Sequence, residues 1–416
     1  MGSPVAVDAR SSAASVRRLA RTTPGVIGII ALAVAAVCVI AGLVCGAQLN
    51  GRIDERNAVL THSEPFAYAA QNLYAALSAA DAAAASAFLS GGIETPAMRD
   101  QYQQALARAA SALADATAGT TDAETRTAMA KITEQLAAYT ALVEAARANN
   151  RQVFPIGSAY LREASSLMQT SLLPEAEKVY GGNLATVKED QRAIGSLPIV
   201  SLALLVLALV AIGAASVIMY GRTNRQFNIG LVVAAATVLL VIGWVVVATQ
   251  LAAGEIERSQ TEGSEKLEQF AKARIVAQKA RTDETLVLIA RSDITAGEAS
   301  FYGHIDELGK LLDAAPAAAR DAVQKWTASH RKQAEAYEDG DYDAAKAQAM
   351  GPSAVEFAAV ESSLRNGIEQ TRETLRDRVS AAGAWLAWSP TGTLVLMVVA
   401  ASAAVVGLWP RLKEFL

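Results

Sequence analysis

Four long apolar runs, at 25–49, 198–220, 229–251 and 392–409, are set as two tandem apolar–polar–apolar units. Each is long enough to cross a hydrocarbon core of about 30 Å as a helix rising about 1.5 Å per residue. Inside lipid every backbone amide must be satisfied within the chain, so such runs are expected to be helices. A polar stretch, 50–197, separates the first run from the second, and another, 252–389, separates the third from the fourth. Only 221–228 lies between the two units. The chain reads as a duplicated membrane module.

Composition agrees. With 52% hydrophobic residues and mean hydropathy +0.24, the chain is too apolar for an ordinary soluble protein. At 19% charged residues it is too polar to lie wholly in a membrane. A net charge of −4, with no basic stripe interleaved with aromatics, argues against nucleic acid as a partner.

Basic residues near the membrane ends set the orientation. The N-terminal segment holds Arg10, Arg17, Arg18 and Arg21 against Asp8. The link between the units holds Arg222 and Arg225, and the tail holds Arg411 and Lys413 beside Glu414. All three segments are therefore expected in the cytoplasm, and both large polar stretches outside. The layout is a cytoplasmic segment at 1–24, a span at 25–49 and an extracytoplasmic domain at 50–197. A span at 198–220, a cytoplasmic link at 221–228 and a span at 229–251 follow. A second extracytoplasmic domain at 252–389, a span at 390–409 and a tail at 410–416 complete it. Trp385, Trp388 and Trp409 suit an interfacial aromatic belt. The protein is expected to be a multi-pass protein of the cell membrane with both termini cytoplasmic.

The first run is longer than the apolar core of a signal peptide, and no small-residue cleavage site stands out. A lipobox ending at Cys45 would need a small residue where Val44 stands. Cys38 and Cys45 both lie in this run, near one helical face, so no disulfide framework holds the polar regions. Small buried apolar residues, rather than a redox pair, is the simpler reading of both.

The first polar region is rich in Ala, Leu, Glu, Gln and Arg, which are good helix formers. Phe66, Ala70, Leu73, Leu77, Ala80, Ala84 and Ala87 recur at spacings of four and three, the seam of a packed helix. Ser90-Gly91-Gly92 stops this helix, and Thr95-Pro96 supplies an N-cap followed by proline at the first helical position. A second helix runs to about Thr117, Gly119-Thr120-Thr121-Asp122 turns the chain, and a third runs to about Asn150. A loop at Val153-Phe154-Pro155-Ile156-Gly157 precedes the fourth. The second polar region repeats the scheme, with turns expected at Ile294-Thr295-Ala296-Gly297, Ala315-Pro316, Glu338-Asp339-Gly340-Asp341 and Gly351-Pro352. Period-two alternation is nowhere sustained, which excludes strands.

The two regions share local detail. Ala80-Asp81 precedes the Ser90 turn as Thr282-Asp283 precedes the Ser292 turn, and Pro198 and Pro390 both stand where a bundle helix enters the bilayer. One such unit resembles the input modules of bacterial chemoreceptors and sensor kinases, which work as dimers. With both units on one chain, the expected fold is all-α. Four transmembrane helices carry two tandem extracytoplasmic four-helix-bundle domains as an intrachain pseudo-dimer.

The stretch from Leu77-Ser78-Ala79-Ala80-Asp81 to Phe88-Leu89-Ser90-Gly91-Gly92-Ile93-Glu94 resembles the GlnX-type membrane proteins of actinobacteria. Leu172-Leu173-Pro174 and Gly340-Asp341-Tyr342 carry the same resemblance, as does the layout of four spans and two exported domains. It implies a solute-binding lipoprotein partner (GlnH-like) outside and a cytoplasmic protein kinase (protein kinase G-like) inside. The message implied is extracellular aspartate, glutamate or glutamine status.

Catalysis has little to stand on. His62, His304 and His330 are far apart in sequence, outside any metal-ligand spacing, and no nucleotide loop or nucleophile elbow appears. Neither enzyme activity, a cofactor nor a metal is expected. The spans hold almost no ionisable groups, which disfavours an ion pathway.

Asp81 and Asp283 are the sensory candidates, being matched between repeats; the alternative is a solvated acid on a helix face. Arg281, Glu284 and Arg291 near Asp283 are explained by ion pairs on an exposed face. The loops at 90–95, 152–157 and 292–303 offer docking surface, with Phe154 and Ile156 either as anchors or as caps of the bundle core. Pro198 and Pro390 are hinge candidates or simple helix starts. Gly42 and Gly46, spaced as GxxxG, are candidates for close helix packing. Three functions remain open: a non-enzymatic relay between outer and inner partners, a direct small-molecule sensor, and a structural scaffold of the envelope. Lipid is a partner in each.

Overall fold

The computed structural model of the chain describes residues 23–91, 94–120, 122–152, 154–223, 228–290, 294–313 and 315–413. Asp8, Arg10, Arg17, Arg18, Arg21, Arg225 and Glu414, on which the expected orientation draws, lie outside them, as do Arg291 and parts of the loops at 90–95, 152–157 and 292–303. The side chains of Arg222, Arg411 and Lys413 are likewise outside.

Among the described residues the chain is all-α. The helices are α1 (Thr23–Ala58), α2 (Glu64–Leu89), α3 (Pro96–Gly119), α4 (Ala123–Arg151), α5 (Ile156–Leu167), α6 (Leu173–Gly195) and α7 (Ile199–Thr223). The second repeat supplies α8 (Ile229–Arg258), α9 (Glu265–Ala290), α10 (Thr295–Leu311), α11 (Ala317–Glu338), α12 (Tyr342–Met350), α13 (Pro352–Leu386) and α14 (Ser389–Lys413). Three wider π-helical turns join neighbours: Val59–Ser63 between α1 and α2, Met168–Leu172 between α5 and α6, and Ser259–Ser264 between α8 and α9. Two of them stand at matching places in the repeats. Nothing in the residue pattern foretold them.

Cap chemistry explains most boundaries. Thr95 accepts from the Met98 amide at 3.3 Å, and Pro96 takes the first position of α3. Asp122 accepts from the Thr125 amide at 2.7 Å and starts α4. Asp341 does the same for α12 through the Ala344 amide at 2.9 Å. One expectation is corrected. The turn placed at Ile294-Thr295-Ala296-Gly297 is the first turn of α10, which begins at Thr295, because α9 has already ended at Ala290.

The helical residues form two compact units. The first comprises Met1–Arg56, Arg192–Glu257 and Val379–Leu416. Its helices each bury one narrow stripe: Val34, Cys38, Ala41 and Cys45 on α1, Leu205, Ala208 and Ile212 on α7. Val238, Val241 and Val245 on α8 and Met397, Ala400 and Ala404 on α14 do likewise. Both cysteines are free. The opposite faces stay apolar and exposed, as at Leu32 (73%) and Val406 (68%). Water would penalise that surface, and hydrocarbon would not. Among the described residues four helices are long and apolar enough to cross a membrane. Close approach needs glycine where α8 meets α14: a Cβ on Gly230 would lie 2.4 Å from the Ala403 carbonyl oxygen. Asn228 ties this crossing by donating to the Gly407 carbonyl at 2.8 Å.

The second unit comprises Asn57–Gln191 and Arg258–Arg378. In its first half, α2, α3, α4 and α5 with α6 enclose a core in which all seven seam residues of α2, Phe66 to Ala87, are buried. In its second half, α9, α10, α11 and α13 surround Trp326, Phe301, Leu364 and Ile368, while Ala345 and Ala349 of α12 join the core that holds α2. The halves are not independent. Ala271, Ile275 and Leu288 of α9 belong to the same core as α2, so the first helix of each half packs on the other.

Candidate functional site

Helix α9 is nearly as polar as it is apolar, yet Arg274, Gln278, Arg281, Thr282, Glu284 and Thr285 are all buried. Burying such groups is costly unless each finds a partner, so the structure must supply them. It does so at the contact between the halves. Arg274 donates through Nε to Glu361 on α13 at 2.7 Å and through Nη1 to Gln71 on α2 at 3.4 Å. Gln278 donates to the other Glu361 oxygen at 3.0 Å. Nearby, buried Glu64 at the start of α2 pairs with Arg372 and with Arg376, the latter at 2.6 Å. Tyr68 donates to Glu369 while the Arg372 guanidinium lies 3.9 Å from its ring centre. Charge-assisted bonds of this kind fix the register of two helical bundles.

Above this network lies a crevice of about 1090 Å³, walled by α2 and α3 on one side and α9 and α13 on the other. Arg108, Arg274, Arg281, Arg365 and Arg372 line it, against the acids Asp115 and Glu361. Arg108 and Arg365 are exposed. Arg274, Arg281 and Arg372 are already paired with Glu361, Glu284 and Glu64, so exposed Arg108 and Arg365 are the lining cations that can meet a carboxylate or other anion. Thr61 and His62 also line the crevice, the hydroxyl 3.1 Å from the ring Nδ1, and among the described residues there is no metal-holding cluster.

Two buried acids flank the contact. Asp81 is 2% exposed and accepts from Tyr139 at 3.2 Å, Ser165 at 2.8 Å and Gln169 at 3.4 Å. Burial raises its pKa, and the three hydrogen bonds only partly offset that. Asp283 is half-buried and bonds Ser300 and the His304 ring, both at 2.8 Å. The repeat match therefore joins two acids in unlike settings.

The enclosed acid of the second half is the next residue, Glu284. It is met by Arg281 at 2.5 Å, the Trp326 indole at 3.1 Å, His330 at 3.3 Å and the Ser353 hydroxyl. Burial would raise the Glu284 pKa, but the Arg281 charge, with His330 and Ser353, outweighs it and holds it at about 2. Burial would likewise lower the His330 pKa, yet hydrogen bonds to Glu284 and Glu298 lift it to about 9. Phe301 stacks on that ring with centroids 3.6 Å apart. Arg281 and Glu284 are thus a buried pair, a correction to the exposed face expected of them: their partners arrive from α11, α12 and α13, which the local spacing does not reveal.

The other candidates are scattered. Phe154 and Ile156, at the loop before α5, are 52% and 54% exposed. Pro198 lies in the break between α6 and α7, and Pro390 is the second residue of α14, after the break that follows Leu386. A Cβ on Gly42 would lie 2.8 Å from Met397 Cβ, whereas one on Gly46 would meet only the Pro390 carbonyl, at 3.5 Å. Sequence reasoning missed the Arg274–Glu361 and Glu64–Arg372 pairs. The one local signal was a polar stripe, Arg274, Gln278 and Arg281, at spacings of four and three on α9.

No curated protein and no solved structure matches the chain. Residues 55–192, about a third of the chain, match the family model described as Actinobacterial sensor domain. That stretch runs from the end of α1 into α6 and includes Asp81 and one wall of the crevice, and a sensor domain between helices apolar enough to cross a membrane points to a signalling role.

Proposed function

We propose that the protein is a non-enzymatic transmembrane relay, carrying extracellular aspartate, glutamate or glutamine status from a solute-binding lipoprotein to a cytoplasmic protein kinase. One observation carries this reading. Helices α2 and α9, which pack on each other, each continue without interruption through a π turn into an apolar helix, from Gly25 to Leu89 and from Ile229 to Ile289. A change at the contact between halves is then a change in the two helices that lead into lipid. A ligand or partner shifts such a device only by binding its two arrangements unequally.

Further support is chemical. The cationic crevice suits acidic ligands or an acidic docking segment, and exposed Phe154 and Ile156 suit a protein partner. In this reading the spans are multi-pass, both termini are cytoplasmic, and the two helical halves are extracytoplasmic. Pro198 and Pro390 serve as joints on the return helices, where α6 and α13 end before α7 and α14 begin. The halves form the pseudo-dimer.

The test is crosslinking in native membranes, with and without aspartate or glutamate, together with reporters fused at Gly119 and Asp339. Amino-acid-dependent capture of a lipoprotein and external reporters support the relay. A response of the purified chain alone favours a direct sensor, for which the crevice speaks. Indifference in both settings favours a scaffold, and an internal reporter overturns the topology on which the relay rests.

A further inference from the structure

Away from the crevice, the first half carries a second cavity of about 340 Å³, near the small end of the range for ligand sites. It is built where the start of α3 meets the last turns of α4. Its walls hold Glu94, Arg99, Glu144, Arg147 and Arg151. Arg147 sits at the centre. Its Nη2 donates to Glu94 at 2.8 Å and its Nη1 to Glu144 at 2.8 Å. Its Nε is buried and has no partner. The edge of the guanidinium that matches a carboxylate with two parallel bonds is therefore only half used. Arg99 Nε approaches the other Glu94 oxygen at 3.7 Å.

The charges do not balance. Three arginines face two glutamates, so the cavity is one positive charge in excess. A ligand with a net charge of −1 restores neutrality. Because both signs are present, that ligand should carry an ammonium as well as carboxylates.

We propose that this cavity is a binding site for a free acidic α-amino acid. One ligand carboxylate takes the Nε and Nη2 edge of Arg147 in place of Glu94, and the second lies toward Arg99 and Arg151. The ammonium is received by Glu144 and the displaced Glu94, near the C-terminal end of α4, where the helix dipole favours a cation. In the empty site Glu94 acts as an internal stand-in for the ligand carboxylate. The exchange reaches the core, since the Arg147 guanidinium lies 4.2 Å from the ring centre of Tyr102, whose buried hydroxyl has no partner.

The assay is calorimetry on the whole chain in lipid nanodiscs, without any lipoprotein, using L-glutamate, L-aspartate, L-glutamine and glutarate. L-Glutamate or L-aspartate should bind, with L-glutamine (no second charge) and glutarate (no ammonium) at least about tenfold weaker, a loss of ~1.4 kcal/mol or more. Arg99→Gln and Glu144→Gln alter side chains that are 51% and 64% exposed, so thermal unfolding should not move. Each should weaken binding about tenfold or more, and Glu144→Gln should erase the preference for L-glutamate over glutarate. The site is refuted if folded wild-type chain gives no heat with either acidic amino acid at ~10 mM. Variants that bind like wild type, or glutarate that binds as tightly as L-glutamate, refute it equally. The assay holds neither lipoprotein nor kinase, so a failure to bind counts against the cavity and leaves the relay to be judged by the crosslinking experiment.

Discussion

Replacing Glu284 with glutamine should be among the most damaging single changes outside the membrane helices. The carboxylate is fully enclosed, and the Arg281 side chain is 5% exposed. Without the charge on Glu284, Arg281 keeps one hydrogen bond, to the Ala349 carbonyl at 3.2 Å, and the face of Phe357 at 5.6 Å. The aromatic contact is worth ~0.5–1 kcal/mol. Stranding one partner of a buried pair costs about 3–5 kcal/mol, so the net loss after that offset should be ~2–4.5 kcal/mol. Urea unfolding of the whole chain in detergent, followed through tryptophan fluorescence with Trp244, Trp385, Trp388 and Trp409 replaced by phenylalanine, reads it, since the Trp326 indole bonds Glu284 directly. The double change Arg281→Met with Glu284→Gln should recover more than half of the loss, because the stranded cation is then gone. A single variant costing under ~1 kcal/mol, or a double variant with additive losses, would refute the argument that the pair is held by mutual need.

Three further expectations follow from other contacts. His330 has its pKa raised from 6.5 to about 9, so its contribution is complete below pH 6.5 and is lost as pH rises through about 9. Unfolding curves from pH 6 to 10 should lose about 3 kcal/mol in wild type and stay flatter in His330→Gln. Asp81 acts in the same direction but in a lower pH window: its raised pKa means that stability is greatest below the ordinary carboxylate range and falls as pH rises through the displaced value. Asp81→Asn should flatten that dependence and leave neutral-pH stability equal or higher; a marked loss at pH 7 with steeper pH dependence refutes it. Gly42→Ala should cost ~1–3 kcal/mol through Met397, relieved by Met397→Ala, while Gly46→Ala should be near neutral by thermal unfolding in detergent.

Helix identity and most helix ends were legible because they depend on local chemistry. The seam from Phe66 to Ala87, the Thr95 and Asp122 caps and the Gly340 turn, with φ near 80°, all act within a few residues of themselves. The buried polar groups were not legible, for a geometric reason. A helix turns about 100° per residue, so one step along α9 carries a side chain from the half-buried place of Asp283 to the enclosed place of Glu284. Sequence alignment of the repeats through their turns is good to about one residue, which is too coarse to choose between them. The partners of Glu284 come from residues 326, 330 and 353, and nothing local to α9 points to them. The π turns escape for a similar reason, since an extra residue in one turn leaves the apolar pattern on either side intact.

The two halves solve one problem in opposite ways, and that difference bears on which half responds. Each encloses an acid near the helix that contacts the other half. In the second half the acid is matched by Arg281 and His330 and braced by Trp326, so removing Glu284 or Arg281 leaves a buried charge stranded. Such a network has one good arrangement. In the first half Asp81 has only neutral donors, and its burial is paid for by hydrogen bonds to Tyr139, Ser165 and Gln169 on α4, α5 and the π turn after it. Those donors are weaker than a fixed cation, and hydroxyls reorient at little cost, so the first half can change its packing without stranding a charge. The matched sensor domain and the arginine-rich distal cavity both lie in that half. In the proposed relay the second half is then the fixed frame and α2 the moving part, and the Glu64–Arg372 and Arg274–Gln71 contacts are where a movement would be felt.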